Sequence, residues 1–96
     1  MKLLMIMYAG ASPEHVRAAL ESHGASGFTE VDGVRGAGAS GRVEGTRAWP
    51  GTASLFLTAV PTERVDPLTR ALEGCAERCA PGERLHVATL PVEHFF

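Results

Sequence analysis

The chain has only two cysteines, no apolar run near the ~20 residues that a membrane span requires, and a net charge of −2 over 96 residues. Each shortage excludes a class of protein. Cys75 and Cys79 stand four apart in a helical stretch, which is not a disulfide framework. A charge so close to zero leaves no basic face, so no nucleic-acid partner is expected. There is no Ser-His-Asp order, no pair of catalytic carboxylates and no dense Cys/His cluster, so an enzyme is not expected. The opening MKLLMIMYAG imitates a signal peptide, but its apolar run is only about seven residues, at the low edge for such a segment. It lacks a good cleavage site and reads as a buried strand. A cytoplasmic location without membrane insertion follows as the expectation.

What is abundant is glycine, and it is concentrated. Gly33 to Gly51 reads GVRGAGASGRVEGTRAWPG and holds six of the eleven glycines, three arginines and the only tryptophan. An ordinary hairpin needs no connection of that length. Glycines let backbone N–H groups approach an anion, and Arg35, Arg42 and Arg47 supply charge. The stretch therefore suits an anion, a nucleotide or a partner protein. Trp49 could stack on a partner ring, but packing against a subunit edge is the commoner use of such a residue.

The rest of the chain alternates strands and helices. Leu3 to Tyr8 fits a central strand. Ser12 and Pro13 look like an N-cap and a first helical residue, Val16, Ala19, Leu20 and His23 follow at helical spacing, and Gly24 ends that helix. Phe28, Val31 and Val34 mark a second strand, with a bulge or bend expected at Asp32-Gly33. In Thr52 to Val60, Leu55, Leu57 and Ala59 point one way and Phe56, Thr58 and Val60 the other, and neither face is polar. Asp66-Pro67 looks like a second helix start, continued by Leu68, Ala71, Leu72, Cys75, Ala76 and Cys79. Arg84 to Leu90 is the last strand.

The order βαββαβ, with right-handed crossovers, predicts an α+β ferredoxin-like sandwich formed by the single domain 1–96. It is a four-stranded antiparallel sheet with both helices on one face. The other face has no helix, yet the first and third strands are apolar on both sides. Another copy of the chain is the simplest cover, so a homo-oligomer is expected.

Local motifs are weaker. Gly36-Ala-Gly38-Ala-Ser-Gly41 matches the dinucleotide fingerprint, but no helix is predicted to begin there, so a Rossmann site is rejected. A P-loop fails because Arg42 and Val43 stand where Lys and Ser or Thr are needed. Cys75 and Cys79 have the spacing of a helical metal pair but lie on the apolar stripe, where cysteine acts as a small hydrophobe. His15 is expected to be exposed and His23 to cap its helix. With a neighbouring subunit, His86, Glu93 and His94 offer a divalent-metal set. Phe95 and Phe96 end the chain as two aromatics that would dock into a neighbour's groove.

With these residues in hand, the chain resembles the P-II signal-transduction superfamily and its short P-II-like members. The likeness covers nearly the whole length. It rests on Gly27-Phe-Thr-Glu-Val, Val34-Arg-Gly-Ala-Gly, Gly45-Thr-Arg-Ala-Trp-Pro-Gly and Leu90-Pro-Val-Glu. The resemblance implies a homotrimer whose sheets line the centre. It implies nitrogen-type regulation through a signalling loop, here about residues 36–50. An effector, an adenine nucleotide or another anion, would bind between subunits at Arg35, Gly36, Gly38, Arg42, Gly45 and Thr46, with Arg84 from the adjacent subunit. Arg47, Trp49, Phe95 and Phe96 would face partners: a transporter, an enzyme or a regulator. The chain departs from the family pattern before the last strand, where the usual lysine-bearing phosphate segment reads Ala80-Pro-Gly-Glu-Arg-Leu. The basic C-terminal segment is replaced by Pro91-Val-Glu-His-Phe-Phe, and the loop has no tyrosine. A second reading is a metal-responsive or metal-buffering trimer of the related CutA type. A third, a small enzyme with His86 or His94 as general base, lacks a convergent acid–base set.

Overall fold

The structure, a computed structural model, describes residues 1–25, 27–38, 41–43 and 52–96, the backbone alone at 37–38, 41–43 and 52. The elements are β1 (Lys2–Gly10), α1 (Glu14–Ser22), β2 (Thr29–Val34), β3 (Gly36–Gly38), β4 (Gly41–Val43), β5 (Thr52–Val60), α2 (Thr62–Glu77) and β6 (Arg84–Pro91). The main sheet is antiparallel in the order β2-β5-β1-β6, and β3 pairs with β4 in a separate ribbon. The ferredoxin-like sandwich is thus as expected.

Alternation along the strands divides the sheet into two apolar faces. The helix side carries Leu4, Ile6 and Tyr8 of β1, Phe56 and Val60 of β5 and Leu85 of β6. These pack on Val16, Ala19 and Leu20 of α1 and on Leu68 and Leu72 of α2, all buried. Two polar side chains are buried there as well, and both have partners: Thr58 Oγ1 donates to the Gly27 carbonyl at 2.6 Å, and Ser54 Oγ to Asp32 at 3.1 Å. Arg17 of α1 holds Glu30 of β2 through two N–H donors at 2.6 and 3.1 Å.

Helix α1 ends as its sequence suggests. His23 is the C-cap, with its backbone N–H on the Ala19 carbonyl at 3.1 Å and Nδ1 at 3.0 Å from the same oxygen. Gly24 follows with φ +81°, and the Ala25 N–H returns to the Leu20 carbonyl at 3.1 Å, which closes a Schellman-type turn. Its start differs from expectation. Pro13, not Ser12, occupies the N-cap, and no side chain caps it. The Ser12 N–H is instead used by the Tyr8 hydroxyl at 2.9 Å.

Helix α2 also begins earlier than Asp66-Pro67. Pro61 is its extended N-cap, Glu63 puts an acid in the first turn, and Pro67 lies inside the helix. Proline removes one N–H, here the one that would reach the Glu63 carbonyl. Thr69 Oγ1 supplies extra bonds beside that gap, to the carbonyls of Val65 and Asp66 at 2.8 and 3.2 Å. Cys79 falls just past the helix, in the turn closed by its N–H on the Ala76 carbonyl at 3.2 Å. Cys75 and Cys79 are free, half-buried and packed against the core, as an apolar reading of the pair requires.

Gly74 sits in the middle of α2 with a helical backbone. A Cβ there would meet only the Arg78 guanidinium, at an ordinary 3.5 Å. Gly74→Ala should therefore stabilise the protein by about 0.5–1 kcal/mol through the lower entropy of the unfolded chain. Denaturant titration checks this as a higher midpoint with an unchanged slope.

Candidate functional site

The glycine-rich connection leaves the sheet at a bulge. Pairing between β2 and β5 shifts register between Asp32 and Val34, and Gly33 between them has φ +68°. An αL glycine is what this type of bulge requires. Asp32 accepts the Ser54 hydroxyl and so pins the strand just before the turn-out. Arg35 follows, exposed, and then β3 and β4 pair as Gly36↔Val43, Ala37↔Arg42 and Gly38↔Gly41. Gly36–Gly38 and Gly41 of the fingerprint-like segment are therefore in a ribbon, and no helix starts among its described residues. Arg42 lies on that ribbon opposite Ala37. Gly45, Thr46, Arg47 and Trp49 lie outside the described residues.

Arg84 is at the same end of the sheet but at its opposite edge. One rung runs Val34–Ala53–Ala9–Arg84 across all four strands. Three strand spacings separate its ends, about 14 Å. Within one subunit, Arg35 and Arg84 thus approach from opposite margins.

The turn before β6 is tied shut by a carboxylate. Glu83 accepts the Tyr8 hydroxyl at 2.5 Å on one oxygen and the Ala80 N–H at 2.9 Å on the other, while Tyr8 accepts the Ser12 N–H. Gly10 makes room for this, because a Cβ there would overlap the Tyr8 hydroxyl and Glu83. Burial, then the bond to Glu83, pushes the Tyr8 phenol up to about 12. The same bond, with help from the Ala80 N–H, holds the Glu83 carboxyl below its ordinary range. This network joins residues 75 apart, and no spacing in the sequence announces it. It puts a negative charge in the Ala80–Arg84 segment, directly before Arg84.

The residues of the metal reading are not assembled within the subunit. His86 is exposed on the open sheet face opposite Met7, and the His94 ring stacks with that of Phe96 at 6.2 Å. Among the described residues, no three His, Cys, Asp or Glu side chains gather as a metal site. Phe95 and Phe96 are exposed at the terminus, at 65% and 108%.

The sheet face opposite the helices is open and apolar. Its rows are Val31–Leu55–Met7–His86, Thr29–Leu57–Met5–Ala88 and Ala59–Leu3–Leu90. Met7, Val31 and Leu90 are 42%, 42% and 38% exposed. No helix among the described residues is long and apolar enough to cross a membrane.

A ferredoxin-like subunit with an open apolar sheet face and a glycine–arginine ribbon at one corner has the plan of a small regulatory protein. The family model for nitrogen regulatory protein P-II matches residues 1–90, and the chain belongs to that family. Among solved structures it is similar to CPII, a nitrogen regulatory PII-like protein from Thiomonas intermedia K12, bound to ADP, AMP and bicarbonate. That likeness has 27% identity and a TM-score of 0.73, over 97% of this chain and 88% of the other. The same protein bound to ADP and bicarbonate gives 28% identity and a TM-score of 0.72, with the same coverage. Its apo form gives 20% and 0.60, over 96% and 92%, and supports the fold alone. No curated protein sequence matches the chain.

Proposed function

We propose that this chain is the subunit of a homotrimeric P-II-like sensor, a regulator and not a catalyst. It binds an adenine nucleotide, with or without a small anion such as bicarbonate, in the clefts between subunits. It signals through the loop of about residues 36–50 to a protein partner. The observation that carries this reading is the placement of Arg35 and Arg84 at one end of the sheet but on opposite edges. Copies packed through their open faces bring the two edges of different subunits together. Arg84 of the partner subunit then faces the base of the ribbon, where Arg35, Gly36, Gly38 and Arg42 stand. The likeness to a PII-like protein bound to ADP, AMP and bicarbonate supports the choice of ligand. Binding orders the loop, including Gly45 and Thr46, and the ordered loop, with Arg47 and Trp49, changes the affinity for the partner. The partner is a transporter, enzyme or regulator, and the exposed tail Phe95-Phe96 is a second contact surface.

Thermal shift with ADP, AMP and bicarbonate, singly and together, tests the effector. A ligand at one hundred times its dissociation constant stabilises by about 2.7 kcal/mol, which a melting curve resolves. Arg35→Ala and Arg42→Ala should each weaken nucleotide binding by about 1–3 kcal/mol, the scale of a charge-assisted hydrogen bond. A melting temperature that no nucleotide or anion moves would sink this reading.

A further inference from the structure

The helical layer holds a cavity on the side of the sheet opposite the open face. It is a cleft of 720 Å³ between α1 and α2, and its size is in the range of small-molecule sites. Its floor is apolar, made by Val16, Ala19, Ala71 and Leu85. Gly74 lines the cleft and adds no side chain to it. Arg78 lies 3.5 Å from where a Gly74 Cβ would stand and 4.0 Å from Cys75 Sγ.

The rim is unusual in its charge. Arg70 and Arg78 stand on the α2 side, and neither has a carboxylate partner among the described residues. His15 and His23 stand on the α1 side. The one acid in the lining is Glu83, and both of its oxygens are already engaged by Tyr8 and the Ala80 N–H. The acids of the two helices, Glu14, Glu21, Glu63, Asp66, Glu73 and Glu77, do not line the cleft. A crevice left only by loose packing has no reason to exclude all six helix acids and keep two guanidinium groups that have no carboxylate partner among the described residues.

We propose that the α1–α2 cleft is a binding site for a small amphipathic anion, an apolar ring or short chain that carries one carboxylate, sulfonate or phosphate. The apolar body lies on Val16, Ala19 and Ala71, and the anionic group meets Arg70 or Arg78. The site belongs to one subunit and does not depend on the effector clefts. Its nearest link to them is Glu83, which borders the cleft and precedes Arg84 in the chain.

The probe is anilinonaphthalene sulfonate, titrated into the folded protein and followed by fluorescence. Saturable binding is expected, with Arg70→Ala and Arg78→Ala together weakening it at least about tenfold, as loss of a charge-assisted bond does. Gly74→Leu should abolish binding by filling the cleft, whereas Gly74→Ala, the folded control, should retain it. Cys75 and Cys79 also line the cleft and are the only thiols, so bound probe should slow their alkylation. Three results would overturn the proposal: no saturable binding, binding that survives Gly74→Leu, or unchanged alkylation with probe bound. The last two would place the probe elsewhere, as on the open sheet face.

Discussion

Leu57→Asp should leave a folded subunit that no longer assembles. Leu57 is in the middle of the open face, between Thr29 of β2 and Met5 of β1, in the row that ends at Ala88. It is half-buried in the single subunit, while its chain neighbours Phe56 and Thr58 are buried on the helix side and keep their contacts. The substitution therefore spares the core. In an assembly that covers this face, the new carboxylate loses water and gains no cation. Such a charge costs several kcal/mol, once in each subunit. At about 3 kcal/mol per copy, the affinity between subunits falls more than a hundredfold. Light scattering at micromolar protein should then give a monomer mass where the parent gives an oligomer, with far-ultraviolet dichroism unchanged. The monomer should also lose nucleotide stabilisation, because Arg35 and Arg84 remain on opposite edges of one sheet, three strand spacings apart. Probe binding between α1 and α2 should survive, because that cleft needs one copy only. An assembly of unchanged mass would move the interface off this face.

Much of this was legible in the sequence, for reasons that can be named. The two apolar faces of Thr52 to Val60 follow from a period of two, and the structure places Phe56, Thr58 and Val60 inward. Asp32-Gly33 breaks the alternation of its strand, and the register shift falls there. Strand order follows from right-handed crossovers alone. The misses share a cause, which is that a local signal was outcompeted by tertiary structure. Asp66-Pro67 has the letters of a helix start, but Pro61 is already an adequate cap and the apolar face of α2 tolerates a proline in its second turn. Ser12 has the letters of an N-cap, but Pro13 holds that position, and the Ser12 N–H joins the Tyr8 network of the preceding strand. The interhelical cleft was hidden for another reason. Nothing in the sequence pattern marks Arg70 and Arg78, and only the packing of α1 beside α2 shows that they border a cavity. Of the expected effector residues, Arg35 and Arg84 lie at one end of the sheet on opposite edges, and whether copies bring them together is a property of an assembly, which no single sequence displays.

Tyr8 should titrate at about 12, and the protein should lose stability as pH rises from 10 towards that value. The sign follows from linkage. The folded state holds the phenol proton more tightly than the unfolded chain, whose value is near 10. Below pH 10 both states are protonated and the stabilisation is fully present. Between 10 and 12 the unfolded chain ionises first, so unfolding is favoured. A shift of about two units corresponds to roughly 2–3 kcal/mol. Tyr8 is the only tyrosine, so phenolate absorbance reads it alone. The Tyr8→Phe variant should be less stable than the parent by about 1–2 kcal/mol at neutral pH, because the Ser12 N–H and one Glu83 oxygen lose their partner. It should also lose the alkaline slope that Tyr8 causes. On the acid side, Glu83 contributes stability that is present above its unfolded value and lost as pH falls through its lowered folded value. Tyr8→Phe removes the largest cause of that lowering, so Glu83 should titrate closer to the ordinary range and its share of the acid loss should shrink. A phenol that ionises near 10 in the folded protein would show that the Tyr8–Glu83 bond does not persist in solution. In that case the segment before β6 would be free to present Arg84 in other geometries, and the closed turn could not be part of how the effector cleft is shaped.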